Sequence, residues 1–393
     1  MEYNFDEIID RHNTDSVKTD GVAEHWGRND LIPMWVADMD FRTPPFIMDA
    51  IRKSCENGIM GYTLQPESYF QAIQKWINRR YGWEIAKETL QFIPGVVAGL
   101  AYAIQSLTKP QDKILMQTPV YHPFFIFTES NGRIPVFNPL ILENGQYRMD
   151  IPRFRELIKE CKLFILCNPH NPGGAVWSRE ELNEIAEICY ENNVPVISDE
   201  IHADLTLPGN LHIPFATISD KARYNSITMM AASKAFNIPG LGSAYAIAEN
   251  QDLKEKYSSY IEKCGTAHGH VFAFQPIVAA YEHGEEWLGQ LIEYLQKNVD
   301  YIDTFTRENT PKIKVIRPQA SYLVFLDCRE LGLSQKQLND FFVNKVHLAL
   351  NDGEMFGKEG KGFMRINVGC PLSILQKALN NLKIAYAKEF IEK

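Results

Sequence analysis

Six short apolar runs recur through the middle of the chain: Lys113 to Met116, Ile134 to Phe137, Leu163 to Cys167, Val194 to Ser198, Ser226 to Met230 and Ser243 to Ala248. Each has the length of a buried strand and is bounded by Pro, Gly, Asn or Asp, residues that turn a chain. Helical spacing fills the gaps. After Trp177, Leu182, Ile185, Ala186 and Cys189 fall on one face, and Ser178 with Glu181 makes a capping-box pair ahead of them. Strands alternating with helices predict an α/β fold, a mostly parallel sheet covered on both faces. In such sheets ligands sit outside the carboxyl ends of the strands. The residues directly after each run are therefore the candidates for chemistry.

The last hundred or so residues follow another pattern. Helical Trp287 to Phe305 leads into strand-like Ile313 to Ile316 and Tyr322 to Leu326. A helix from Ser334, a Gly-rich turn, a strand at Phe363 to Val368 and a final helix complete an α+β arrangement. This predicts a large domain over residues 45–285 and a smaller one from 286–393 joined by the N-terminal segment 1–44. The first 40 or so residues show little regular structure and are expected to pack on the small domain or span both.

The chain has 393 residues, 45% of them hydrophobic, enough for a large core. Its net charge of -9 argues against non-specific nucleic-acid binding. Seven scattered cysteines form no CxxC pair, which argues against a disulfide framework or a structural metal and favours a reducing cytoplasm. The opening residues are acidic and lack the apolar core of a signal peptide. The longest mostly apolar stretch, Ile93 to Ile104, is too short to span a bilayer.

Three runs are followed by chemically telling residues. NPHNPGG carries Asn171, SDEIH carries Asp199, and ASKAFNIPGL carries Lys234. Singly, each has a plain structural reading: a turn asparagine, a helix-capping aspartate, a solvated lysine. Together they supply an amide donor, an acid and an amine flanked by Ala231, Ala232, Ala235, Phe236 and Ile238. An apolar setting lowers a lysine's pKa and makes it a usable nucleophile. One cofactor needs all three: pyridoxal 5'-phosphate (PLP), whose aldehyde takes a lysine and whose ring nitrogen takes an acid. The amide suits its phenolic oxygen. Ser233 is placed to give its hydroxyl to the phosphate. Gly95, Val96 and Val97 open a helix, where backbone N–H groups make a ready phosphate site. Tyr121 follows another strand and reads either as a ring that stacks on the pyridine or as a core aromatic. Arg365, between apolar residues in GFMRINVGCP, wants a bidentate carboxylate, either structural or the α-carboxylate of an amino acid.

These motifs, with WVADMDF, GYT, PGVV and TPVYHPF, resemble the class I/II, fold-type I PLP-dependent aminotransferase superfamily. Within it the chain is similar to the MalY/PatB-type cystathionine β-lyases, or C–S lyases, over essentially its whole length. The resemblance implies that Lys234 carries the cofactor and moves protons, Asp199 pairs with the pyridine nitrogen, Asn171 with the phenolic oxygen, and Tyr121 stacks on the ring. It assigns phosphate to Ser233, Val96, Val97 and a Tyr62 contributed by the neighbouring subunit of a homodimer. Arg365 would grip the substrate carboxylate, helped by the Val36–Ala37 backbone. Two positions depart from the aspartate aminotransferase pattern: Ala231 and Gly242 stand where it has a serine and an arginine. His202 replaces its tyrosine and is expected beside the cofactor.

The reaction expected is β-elimination from cystathionine- or cysteine-type amino acids, giving thiol, pyruvate and ammonia. Transamination uses the same residues and is the alternative. A partner-binding regulator on the same fold is a third reading, disfavoured by the intact lysine, aspartate and asparagine. Nicotinamide binding is weaker, since no GxGxxG opens a helix after a strand.

Overall fold

The computed structural model describes residues 2–392. Seven strands build the main sheet: β1 (Leu90–Ile93), β2 (Lys113–Met116), β3 (Ile134–Phe137), β4 (Cys161–Cys167), β5 (Val196–Asp199), β6 (Ser226–Met230) and β7 (Ala244–Ile247). Their order is β1-β7-β6-β5-β4-β2-β3. Only β7 runs against its neighbours, and the other pairings are parallel. The expected α/β fold with a mostly parallel sheet is the one observed.

Alternation along the strands sends side chains to two covered faces. Ile114, Ile165, Ile197 and Ile227 pack beneath Leu100 and Ile104 of a helix at Val96–Leu107. Their neighbours Leu115, Phe164 and Val196 pack on the other side, with Leu182 and Ile185 of a helix at Arg179–Glu191. Each such side chain, fully buried, contributes about 1.5–3 kcal/mol. The second helix starts as the sequence predicts. Ser178 Oγ accepts the Glu181 N–H and the Glu181 carboxylate accepts the Ser178 N–H, both at 3.1 Å.

A second sheet is antiparallel throughout: β8 (Lys314–Ile316), β9 (Leu323–Asp327), β10 (Asn351–Asp352) and β11 (Phe363–Asn367), in the order β8-β9-β11-β10. The helices Glu285–Asn309 and Leu372–Phe390 lie in sequence on either side of it and bury Leu291, Leu295, Leu375 and Leu379 in one cluster with Leu323 and Ile366. The N-terminal segment joins this region through Ile32–Pro33, which pairs parallel to Leu348–Ala349.

Two expectations change. Ile134 to Phe137 reads as a buried strand, yet β3 is the sheet edge, with Ile134 and Phe137 exposed. Pro135 has no N–H for a further ladder, which suits an edge. Strand β1 has no counterpart among the six sequence runs. It is four residues long and leads directly into the PGVV turn, so its apolar residues read as the approach to the helix. Among the described residues no helix is long and apolar enough to cross a membrane.

Candidate active site

Because β1, β2, β4, β5 and β6 point the same way, their carboxyl ends share one edge of the sheet. The chain leaving those ends carries Gly95 to Val97, Tyr121, Asn171, Asp199 and Ser233 with Lys234, and all of them line one cavity together with Ala37 and His202. The register explains the convergence. Cys167, Asp199 and Met229 stand side by side across β4, β5 and β6, so Asn171 and Lys234 start from either side of Asp199.

Each group is electrostatically unusual. Asp199 is buried and accepts the N–H of Ile201 at 3.2 Å. Burial raises its pKa to about 7, against a smaller lowering by that N–H and by Lys234. Lys234 is half-buried, and its pKa falls to about 8, chiefly through desolvation and next through the Arg365 charge. Its amine donates to the Ala37 carbonyl at 2.6 Å. Asn171 uses its side-chain oxygen to accept from Arg365 at 3.0 Å, which leaves its Nδ2 as the donor facing the cavity. Its backbone N–H donates to Cys167 Sγ at 3.3 Å.

The helix at Val96–Leu107 begins without a side-chain cap, so its first N–H groups need an outside acceptor. Gly95 permits this start: its φ of 139° is open to glycine alone in practice. Tyr121 is half-buried, with a phenol pushed upward by burial. His202 is buried, and its Nδ1 has no partner among the described residues. Desolvation lowers its pKa to about 3, so its ring is neutral.

Arg365 does not itself line the cavity. It sits mid-strand in β11, and its hydrogen bonds go to three neutral oxygens: Asn171 Oδ1 at 3.0 Å, Asn351 Oδ1 at 2.6 Å and Trp35 O at 3.1 Å. Its Nε has no partner among the described residues, and the guanidinium lies 4.8 Å above the Phe356 ring. Burial lowers its pKa to about 10. The guanidinium is thus buried with no carboxylate among its hydrogen-bond partners in the described residues, and a buried charge of this kind is costly until it is paired. Tyr62 does not line this cavity. It is fully exposed on the segment between two helices, beside exposed Ile59, Met60 and Leu64.

The sequence reading missed Asn351, the Trp35 carbonyl and Tyr322, whose hydroxyl donates to the Ala37 carbonyl at 2.9 Å; it named the Ala37 backbone for the substrate carboxylate, whereas the Ala37 carbonyl accepts from Lys234. Asn351 lies on a two-residue strand that leaves no periodic signal. Backbone acceptors have no residue-type signature at all.

Residues 29–382 match the family model described as aminotransferase class I and II. The chain belongs to that family. It is 42% identical over 384 residues to a Bacillus subtilis protein named cystathionine beta-lyase PatB, covering 97% of this chain and 99% of the relative. It is 32% identical to Escherichia coli MalY, with 97% and 98% covered. These place it in the MalY/PatB-type branch. A PLP-bound putative aminotransferase from Clostridium difficile 630 superposes with a TM-score of 0.96 at 43% identity, covering 98% of this chain and all of that one. In this aminotransferase-family chain Gly242 has φ 55°, and a Cβ there would stand 3.4 Å from the Pro94 carbonyl. The glycine thus suits a tight, left-handed approach to the PGVV turn.

Proposed function

We propose that this chain is a PLP-dependent C–S β-lyase that cleaves cystathionine- or cysteine-type amino acids to thiol, pyruvate and ammonia. One observation carries the proposal: an amine, an acid and an amide donor meet in one cavity of a chain 42% identical to PatB.

The residues fit PLP by their unmet needs. Asp199 is a buried acid that accepts only a backbone N–H among the described residues, which suits it to a pyridine N–H. Asn171 Nδ2 is a donor suited to a phenolic oxygen. The uncapped helix start at Val96 and Val97, with the Ser233 hydroxyl, suits a phosphate. Tyr121 would lie against the ring, and neutral His202 would complete the wall without adding charge. When bound, PLP supplies an aldehyde for an amine and a ring that takes up the electron pair left at Cα.

The chain's own residues then divide the work. Lys234 would hold the aldehyde and, when free, would take the Cα proton; a pKa of about 8 leaves part of its amine unprotonated near neutral pH. Asp199 would pair with the ring nitrogen and, ionised against its proton, would keep that ring electron-poor. Arg365 takes the substrate α-carboxylate, held in orientation by Asn351 and Asn171. The Ala37 carbonyl is an acceptor already bonded to Lys234, so any backbone help with the carboxylate falls to N–H groups of the Val36–Ala37 segment. Tyr62, with Ile59, Met60 and Leu64, forms an exposed apolar strip suited to a second copy, whose phosphate site Tyr62 would reach in a homodimer. Seven free cysteines suit a reducing cytoplasm, where we place the reaction.

The test is incubation of the holoprotein with L-cystathionine. Pyruvate and free thiol in equal amounts are expected. Amino transfer to an added keto acid, without pyruvate, would select an aminotransferase instead.

A further inference from the structure

The segment from Trp35 to Phe41 belongs to no strand, so sheet pairing does not satisfy its carbonyls. Side chains do so instead, almost one carbonyl after another. Arg365 donates to Trp35 O, and Asn367 to Val36 O and Asp38 O at 2.6 Å each. Asn237 donates to Met39 O and Phe41 O. Two of these carbonyls receive a second donor: Asp38 O also accepts the Lys18 amine at 3.3 Å, and Ala37 O, on a residue that lines the cavity, accepts both the Lys234 amine at 2.6 Å and the Tyr322 hydroxyl at 2.9 Å.

A carbonyl has two lone pairs, and here both are used. The two donors have different futures. The Lys234 amine must leave Ala37 to hold a cofactor. Tyr322 can stay where it is. Its side chain is buried, and it stands directly before β9, the strand paired with β11. The same two-strand frame carries Arg365 and Asn367, so one element holds the carbonyls from Trp35 to Asp38.

We propose that the Ala37 carbonyl is the docking acceptor of the Lys234 amine whenever that amine is not attached to cofactor, and that Tyr322 is the positioning residue that keeps this carbonyl turned toward it. This rests on the reading that Lys234 carries PLP. The Tyr322 hydroxyl holds one lone pair throughout, so the peptide stays in place while the amine comes and goes. The freed amine then returns to one fixed point beside Asp199 rather than to a range of rotamers.

The test uses the full-length chain stripped of cofactor. An amine-reactive acylating reagent is applied across a pH series, and Lys234 modification is read by peptide mass spectrometry. A hydrogen bond to a carbonyl favours the ammonium form, so loss of a well-placed acceptor lowers the titration midpoint. Tyr322→Phe is expected to lower it by about half a unit, making the amine roughly threefold more reactive below the midpoint. Asn367→Ser loosens the same peptide from both sides and is expected to shift the midpoint the same way, which keeps the test open if the first variant folds poorly. In the holoprotein, Tyr322→Phe is expected to lower kcat several-fold while KM stays within about twofold. A midpoint unchanged or raised in folded variants overturns the proposal. Failure of borohydride to fix a pyridoxyl group on Lys234 would instead overturn the parent reading and leave the apoprotein titration standing as a separate result.

Discussion

Lys234→Ala is expected to lower kcat for thiol and pyruvate release by roughly 10^3-fold or more. The variant removes the one lysine amine that lines the cavity among the described residues. No neighbour can substitute: Arg365 is a guanidinium that stays protonated, and His202 is neutral, with a pKa of about 3. The fold should not suffer. Lys234 donates one hydrogen bond, to Ala37 O, and the Tyr322 hydroxyl remains on that carbonyl. A thermal unfolding midpoint close to that of the parent chain, alongside lost turnover and lost long-wavelength cofactor absorbance, is the expected pair of results. Turnover that survives the change would remove Lys234 from the chemistry.

Arg365→Leu should leave cofactor binding largely intact and lower kcat/KM by roughly 30- to 1000-fold. That range corresponds to roughly 2–4 kcal/mol, within what is typical of removing one member of a buried charge pair. Most of the loss should fall on KM, because the guanidinium is placed for the substrate carboxylate and not for the reacting bond. Arg365→Lys should recover little. The native fork reaches Asn171, Asn351 and Trp35 at once, which a single ammonium on a flexible stem cannot reproduce. The same leucine variant carries a second signature. The Arg365 charge is the next cause after burial of the lowered Lys234 pKa, so its removal should move the amine's midpoint up from about 8 toward its ordinary value. Steady-state kinetics and the acylation titration read these two effects independently. An unchanged KM would place Arg365 in the structure rather than in substrate binding.

Much of this was legible in the sequence, for a physical reason. In a parallel sheet each strand ends on the same edge, so a polar motif written directly after an apolar run is also written at the ligand edge. Asn171, Asp199 and Lys234 are each such residues, and the structure brings them to one cavity. The capping box at Ser178 and Glu181 was legible because it is a local pattern of four residues. Features that depend on tertiary pairing were not. The antiparallel run of β7 has the same composition as its parallel neighbours, and β3 looks buried until its place at the edge is known. The bracing of Arg365 by Asn351 joins two strands that pair only once the second sheet forms. The run of carbonyls from Trp35 to Phe41 is invisible to any residue-type reading, although WVADMDF marked the segment itself.

The most direct measurement is borohydride reduction of the holoprotein followed by peptide mapping. A single pyridoxyl group on Lys234, absent when the reduction is run on Lys234→Ala, is the predicted result. A pyridoxyl group on another lysine, or none on any, would contradict the account at its root.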